Sequence, residues 1–269
     1  MQAGGLLLVG CGKMGSAMLA GWMAAGSAPA PVFVVEPSPA PGAVPAGATC
    51  VASADALPAG FAPAVVVLAT KPQVMDDVVP AYARFAASGA LFVSVAAGRT
   101  LGYFARHLGA SAAIVRTMPN TPAQVGRGIT ACCANAAVSA AQRALADRLM
   151  AAVGEVGWVD DEAMIDAVTA VSGSGPAYAF LLAECMAEAG RRAGLPEDLA
   201  ARLARATVAG AGELLHRSPE SAAQLRRNVT SPNGTTAAAL EVLMAPDGMQ
   251  PLMDRAVAAA ARRSRELAG

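Results

Sequence analysis

The chain has 269 residues, 55% of them hydrophobic, and a formal charge of zero. That length and apolar content suffice for two domains or one large one, and the balanced charge offers no basic footprint for nucleic acid and no acidic tail for a basic partner. The runs Leu6-Leu7-Leu8-Val9 and Val65-Val66-Val67-Leu68 are too short to span a bilayer, and the N-terminus lacks a signal-peptide pattern; a cytoplasmic protein with a small-molecule ligand and no membrane partner is expected.

A strand over 6–9 runs straight into Gly10-Cys11-Gly12-Lys13-Met14-Gly15, which opens a helix over 14–25. G-x-G-x-x-G at a strand-to-helix turn lets the backbone approach a pyrophosphate seated on the helix N-terminus, so a dinucleotide site is expected here. Lys13 either adds charge near the phosphates or is simply solvated. The next strand, 32–35, ends at Glu36, where a carboxylate accepts hydrogen bonds from adenosine ribose hydroxyls and repels a 2′-phosphate, favouring NADH. Ser38 follows and can serve a phosphate, which keeps NADPH open. Pro- and Gly-rich loops at 37–42 and 59–63 surround strands over 49–51 and 65–69. Ala69-Thr70-Lys71-Pro72 then falls at a strand end, as does Ala96-Ala97-Gly98 after a strand over 91–95, and both loops are expected to line the nicotinamide side. Lys13 and Lys71 are the only lysines among 20 Lys and Arg residues, which makes Lys71 notable at a strand end. Helices over 73–85, 101–107 and 140–152 and strands over 113–116, 129–133 and 155–159 complete a mostly parallel sheet covered by helices, placed in a domain spanning 1–160.

Beyond residue 160 strand-like runs stop, and 161–269 reads as a second, all-helical domain with helices at 162–172, 176–193, 197–216, 222–227, 235–244 and 251–267. Gly194 followed by Pro196-Glu197-Asp198 marks a helix stop and the next start, and Ser218-Pro219-Glu220 repeats the device. Small and apolar residues surround more than one face of 177–189, which suits burial against another subunit as well as burial in one core. Val229-Thr230-Ser231-Pro232-Asn233-Gly234-Thr235-Thr236 is a hydroxyl-rich turn opening into Ala237-Ala238-Ala239-Leu240. Two readings stay open for it: an N-cap, and a site for a small anion.

Cys11, Cys50, Cys132, Cys133 and Cys185 are odd in number, lack C-x-x-C spacing and include an adjacent pair, so they read as reduced thiols. His107 and His216, the only imidazoles, have no Cys or carboxylate at metal-site spacing, and no metal site is expected.

Over essentially its whole length the chain resembles the pyrroline-5-carboxylate reductases. The resemblance rests on the glycine loop, on Val115-Arg116-Thr117-Met118-Pro119-Asn120-Thr121-Pro122, on Ala170-Val171-Ser172-Gly173-Ser174-Gly175-Pro176-Ala177-Tyr178, and on the turn at 229–236. It implies an α/β fold: an N-terminal Rossmann-type doubly wound domain followed by an all-helical C-terminal dimerisation domain, assembled as a homodimer or a higher homo-oligomer built on dimers. Family sequences often have Asn where Lys13 stands, Ala where Gly15 stands and Gly where Asn233 stands.

The implied reaction is hydride transfer from NADH or NADPH to the cyclic imine 1-pyrroline-5-carboxylate, giving L-proline. An imine is already electrophilic, so the protein needs orientation, charge complementarity and one proton-handling group. The substrate carboxylate is assigned to the turn of Ser231, Asn233, Gly234 and Thr235, and the hydrogen bond to the ring nitrogen to Thr236, with the turn facing the nicotinamide. Asn120 is expected as a polar contact in a loop beneath the nicotinamide, while Arg116 and Arg127 are expected as structural ion-pair partners. The competing readings are a related cyclic-imine reductase, a β-hydroxyacid dehydrogenase-like enzyme and a non-catalytic NAD(P)H-binding regulator. Hydroxyacid enzymes of that kind use a Lys in the helical domain, and this chain has none after Lys71.

Overall fold

A computed structural model describes residues 4–268 of the chain. Among the described residues, eight strands form one sheet: β1 (Leu6–Val9), β2 (Val32–Val35), β3 (Ala48–Val51), β4 (Val65–Leu68), β5 (Leu91–Ser94), β6 (Ala113–Met118), β7 (Gly128–Ala134) and β8 (Gly154–Trp158). Their order is β3-β2-β1-β4-β5-β6-β7-β8, and every neighbouring pair is parallel except β6 with β7. Strand order therefore reverses at β1, beside β4, and in doubly wound sheets the crevice at the carboxyl ends of such strands takes the ligand.

Helices cover both faces, which explains why the central strands are continuous apolar runs. Successive side chains point to opposite faces. Leu6, Leu8, Val65, Val67 and Val93 pack with Met18, Leu19 and Trp22 of α1 (Lys13–Ala25) and with Leu149 and Met150 of α5 (Ala140–Ala151). Leu7, Val9, Val66, Leu68 and Phe92 pack on the other side with Met75, Tyr82, Phe85 and Phe104. Gly15, Met18, Leu19 and Trp22 are the buried positions of α1, a spacing that lays one helical stripe on the sheet. Trp22 Nε1 donates to Leu149 O at 2.8 Å, tying α1 to α5. A capping box starts α5: Ser139 Oγ accepts from the Gln142 N–H and the Gln142 side chain accepts from the Ser139 N–H.

The single helix expected over 73–85 is broken. The segment forms a 3₁₀ turn at Pro72–Val74, α2 (Met75–Val78), a second 3₁₀ turn at Val79–Tyr82 and α3 (Ala83–Ala87). Pro80 has no N–H to give to a continuous helix, and its ring crowds the preceding turn. Next in the chain come α4 (Leu101–Leu108) and, beyond α5, α6 (Met164–Val168), which runs into a π turn over Thr169–Gly173.

The chain divides into two compact units, one formed by the described residues up to Gly173 and from Ala260 onward, the other by Ser174–Ala259. The first unit thus continues past the division expected at 160/161. Ile165 of α6 and Ala170 are buried there, and Ser264 Oγ donates to Asp166 Oδ1 at 2.6 Å. The second unit holds α7 (Gly175–Arg192), α8 (Glu197–Arg217), α9 (Ala222–Asn228), α10 (Thr235–Leu243) and the start of α11 (Met249–Ala268). α7 and α8 form a helical hairpin whose turn uses Gly194 at φ +101°, a left-handed conformation that glycine adopts without strain. Among the described residues, no helix is long and apolar enough to cross a membrane.

Candidate functional site

A cleft of about 540 Å³ opens at the carboxyl ends of β1, β2 and β4. The glycine loop forms part of its wall, and each glycine has its own reason to be there. Gly10 sits at φ +88°, and a Cβ on it would lie 2.9 Å from the Ala69 backbone. On Gly15 a Cβ would run into the Gly10 carbonyl oxygen, so the family's frequent Ala at this position would not fit this loop unshifted. Gly12 differs: a Cβ there would meet nothing within 4 Å, and as N-cap of α1 it leaves the helix start without a side-chain cap. Uncapped N–H groups beside open space are what a pyrophosphate requires. Thr70 Oγ1, in the same wall, is buried without a hydrogen-bond partner. The residues present therefore fit a dinucleotide.

Of the other residues expected at the cofactor, Glu36, Ala69, Thr70 and Lys71 line the cleft. Glu36 Oε2 accepts from the Cys11 N–H at 2.9 Å, and its Oε1 accepts from the Ser38 N–H at 3.2 Å. Ser38 and Lys13 are exposed, and Met14 is half-buried against the core. Burial, with the Glu36 charge second, pushes the Cys11 thiol up, so it stays protonated at neutral pH. Pro72 lies beside the wall, its carbonyl accepting from Arg99 Nη2 at 2.7 Å and Nε at 3.2 Å. Arg99 also reaches Asp76 Oδ2 at 3.3 Å and stacks on the Tyr103 ring at 4.5 Å. This arginine braces the loop after β4 from the loop after β5.

Ala96, Ala97 and Gly98 do not line this cleft. Ala96 is buried, and a Cβ on Gly98, at φ +74°, would lie 2.8 Å from Leu267 O, so the loop packs closely against the end of α11. Asn120 is buried as well. Its Oδ1 accepts from the Ile129 N–H at 3.0 Å, while its Nδ2 donates to both Ser172 O and Ser172 Oγ at 3.3 Å. In the structure it ties the loop after β6 to the π turn rather than presenting a free amide. Arg116 is buried and pairs with Glu162 at 2.8 Å, as expected of a structural partner, and the same carboxylate oxygen caps the Leu101 N–H at 2.8 Å.

The residues that sequence reasoning missed lie after β3 and in the broken helix: Ser53, Asp55, Asp77 and Tyr82 all line the cleft. The end of β3 carried the same signal as the ends of β1 and β4. Asp77 and Tyr82 were hidden by reading one helix where Pro80 makes several turns. The π turn had no sequence signal beyond Ser172 and Gly173.

In the second unit the turn at 229–236 has a geometry that corrects the N-cap reading. The N-cap of α10 is Gly234, with no side-chain cap, so the hydroxyls of Ser231 and Thr235 do not close the helix start. Asn233 takes φ +58°, tolerable for Asn, and a Cβ on Gly234 would lie 2.5 Å from Ser231 Oγ. Ser231 and Thr235 are exposed and Thr236 is half-buried, and none of the three hydroxyls has a hydrogen-bond partner among the described residues. Asn233 thus turns the chain into a helix start that no side chain caps.

A doubly wound nucleotide cleft followed by a helical unit defines a nicotinamide-dependent oxidoreductase of the Rossmann class. Residues 6–98 match the family model for NADP oxidoreductases described as coenzyme F420-dependent, and residues 162–267 match the model for pyrroline-5-carboxylate reductase dimerisation. The chain is 43% identical to the pyrroline-5-carboxylate reductase of Pseudomonas aeruginosa, over 98% of this chain and 96% of that one. It superposes with a TM-score of 0.89 and 34% identity on a pyrroline-5-carboxylate reductase from Coxiella burnetii, covering 99% of both chains. The NADP-bound pyrroline carboxylate reductase of Plasmodium falciparum matches with a TM-score of 0.82 and 28% identity over 100% of both chains. The chain belongs to the pyrroline-5-carboxylate reductase family.

Proposed function

We propose that the chain reduces 1-pyrroline-5-carboxylate to L-proline with NADH or NADPH, the closing step of proline biosynthesis. Full-length similarity to enzymes of that name supports the reading, together with a cleft whose Gly12 leaves an uncapped helix start open to the cofactor phosphates. The reduced nicotinamide supplies the hydride, and the chain's residues do the rest. Gly10, Gly12 and the start of α1 hold the phosphates, with Glu36, Ala69, Thr70 and Lys71 along the cleft.

The 231–236 turn binds the substrate carboxylate through the N–H groups at the start of α10 and the hydroxyls of Ser231 and Thr235. Thr236 hydrogen-bonds the ring nitrogen and passes it a proton from water, because a Thr hydroxyl is too weak an acid to give its own. These assignments rest on a helix start without a side-chain cap and on a left-handed Asn233 just before it.

The working form is a homodimer or an assembly built on dimers. Exposed apolar side chains along α7 and α8, among them Phe180, Leu181 and Leu214, support it. A cytoplasmic setting suits five cysteines that are all free thiols.

Purified protein mixed with 1-pyrroline-5-carboxylate and either reduced cofactor should consume nicotinamide absorbance and form proline in equal amounts. No imine reduction with either cofactor refutes the reading.

A further inference from the structure

Opposite the glycine loop, the cleft wall is the stretch 69–74 after β4, of which Ala69, Thr70, Lys71 and Val74 line the opening. Its own backbone secures the two ends: the Ala69 N–H donates to Val9 O at 2.7 Å, and the Val74 N–H donates to Lys71 O at 3.2 Å. Pro72, between them, has no N–H to give. Its carbonyl accepts from the Met75 N–H and also from the fork of Arg99, Nη2 at 2.7 Å and Nε at 3.2 Å. Two donors on one planar cation fix the direction of an acceptor as well as its distance. The wall is close to the phosphate loop, since a Cβ on Gly10 would lie 2.9 Å from Thr70 Cγ2.

The arginine is itself held in place. Thr100, next in the chain, starts α4 by accepting from the Tyr103 N–H at 3.1 Å. The Arg99 guanidinium lies over the buried Tyr103 ring at 4.5 Å, and Nη2 also reaches Asp76 Oδ2 at 3.3 Å. His107 Nε2 lies 3.4 Å from the other oxygen of that carboxylate. A stacked, paired and half-buried cation loses little further freedom in gripping Pro72.

Building on the reductase reading, we propose that Arg99 is a positioning residue for the dinucleotide: from behind the wall it holds Pro72, and through it Thr70 and Lys71, at the distance from the glycine loop that the cofactor requires. Without the fork the stretch is tied at its ends alone, and part of the binding energy goes into ordering it.

Calorimetric titration with NAD⁺ and NADP⁺ reads the effect without any turnover. In Arg99→Ala the tighter-binding form should lose about tenfold in affinity, and amide hydrogen exchange over 70–74 should speed up in the cofactor-free protein. Cofactor KM should rise by a similar factor while kcat stays within about twofold, because the reacting atoms are held elsewhere. Arg99→Lys keeps the charge but replaces the fork with a point donor, and should regain no more than about threefold of the loss. Asp76→Asn leaves the grip on Pro72 in place and should cost no more than about twofold. A merely structural arginine gives a lower denaturation midpoint with unchanged cofactor affinity in the folded protein, and that pattern overturns the proposal. So does full recovery in Arg99→Lys, a loss in Asp76→Asn as large as in Arg99→Ala, or weaker binding with unchanged exchange over 70–74. Should affinity fall as expected in a protein that reduces no imine, the positioning role stands and the reductase reading falls.

Discussion

In the first unit Trp22, Phe92 and Phe104 are fully buried on the two faces of the sheet, while in the second unit Phe180 is 64% exposed and Val242 is 72% exposed. Among the described residues of the second unit, Ala200 and Ala204 are the only buried hydrophobic side chains. The first unit satisfies its own apolar surface, since strands and helices meet on two faces of one sheet. Its helical counterpart does not, and helices with apolar residues on more than one face require another surface to cover them. The nucleotide cleft accordingly lies in the unit that buries its own apolar surface, and the match to a dimerisation model falls mostly on the unit that does not.

The largest effect should come from putting charge on the uncovered face. Phe180→Asp combined with Leu214→Asp should leave a folded nucleotide-binding unit but a monomeric chain by analytical ultracentrifugation, with kcat/KM down by about a hundredfold or more. A double variant that stays dimeric and active would erase the contrast. Thr236→Ala comes next. It should lower kcat by about 10²-fold or more with NAD⁺ and NADP⁺ affinity unchanged, since the proposed proton-handling hydroxyl is removed and the nucleotide cleft lies in the other unit. Unchanged turnover removes Thr236 from the reaction.

Gly12→Val probes the first unit in the complementary way. A Cβ there meets no protein atom within 4 Å, so Tm should hold while cofactor binding weakens by about tenfold or more, read by calorimetry. A large fall in Tm would mean that Gly12 serves folding instead.

The smallest effect is at high pH. Burial raises the Tyr82 phenol to about 12, so the folded state favours its protonated form. That stability is fully present below the unfolded value near 10 and is lost as pH rises through about 12. Denaturant midpoints should therefore fall over that window, and Tyr82→Phe should flatten the fall.

Much of the first unit was legible because its signals are local. Apolar runs such as Val65–Leu68 fixed the strands, and Gly10-Cys11-Gly12 after β1 fixed the cleft. The misreadings had geometric causes. Pro80 divided a segment whose apolar periodicity resembled one helix. At 229–236 the residue types suggested a capping hydroxyl, but Gly234 occupies the N-cap because Asn233 turns left-handed just before it. Residue types announced the turn, and only the backbone decided which of them capped.

The central claim is most directly tested by following the hydride itself. With nicotinamide cofactor deuterated at the transferable position and unlabelled 1-pyrroline-5-carboxylate, mass spectrometry should find L-proline carrying one deuterium on the ring carbon that was the imine carbon. Proline without label, or cofactor oxidised with no proline formed, would contradict the account.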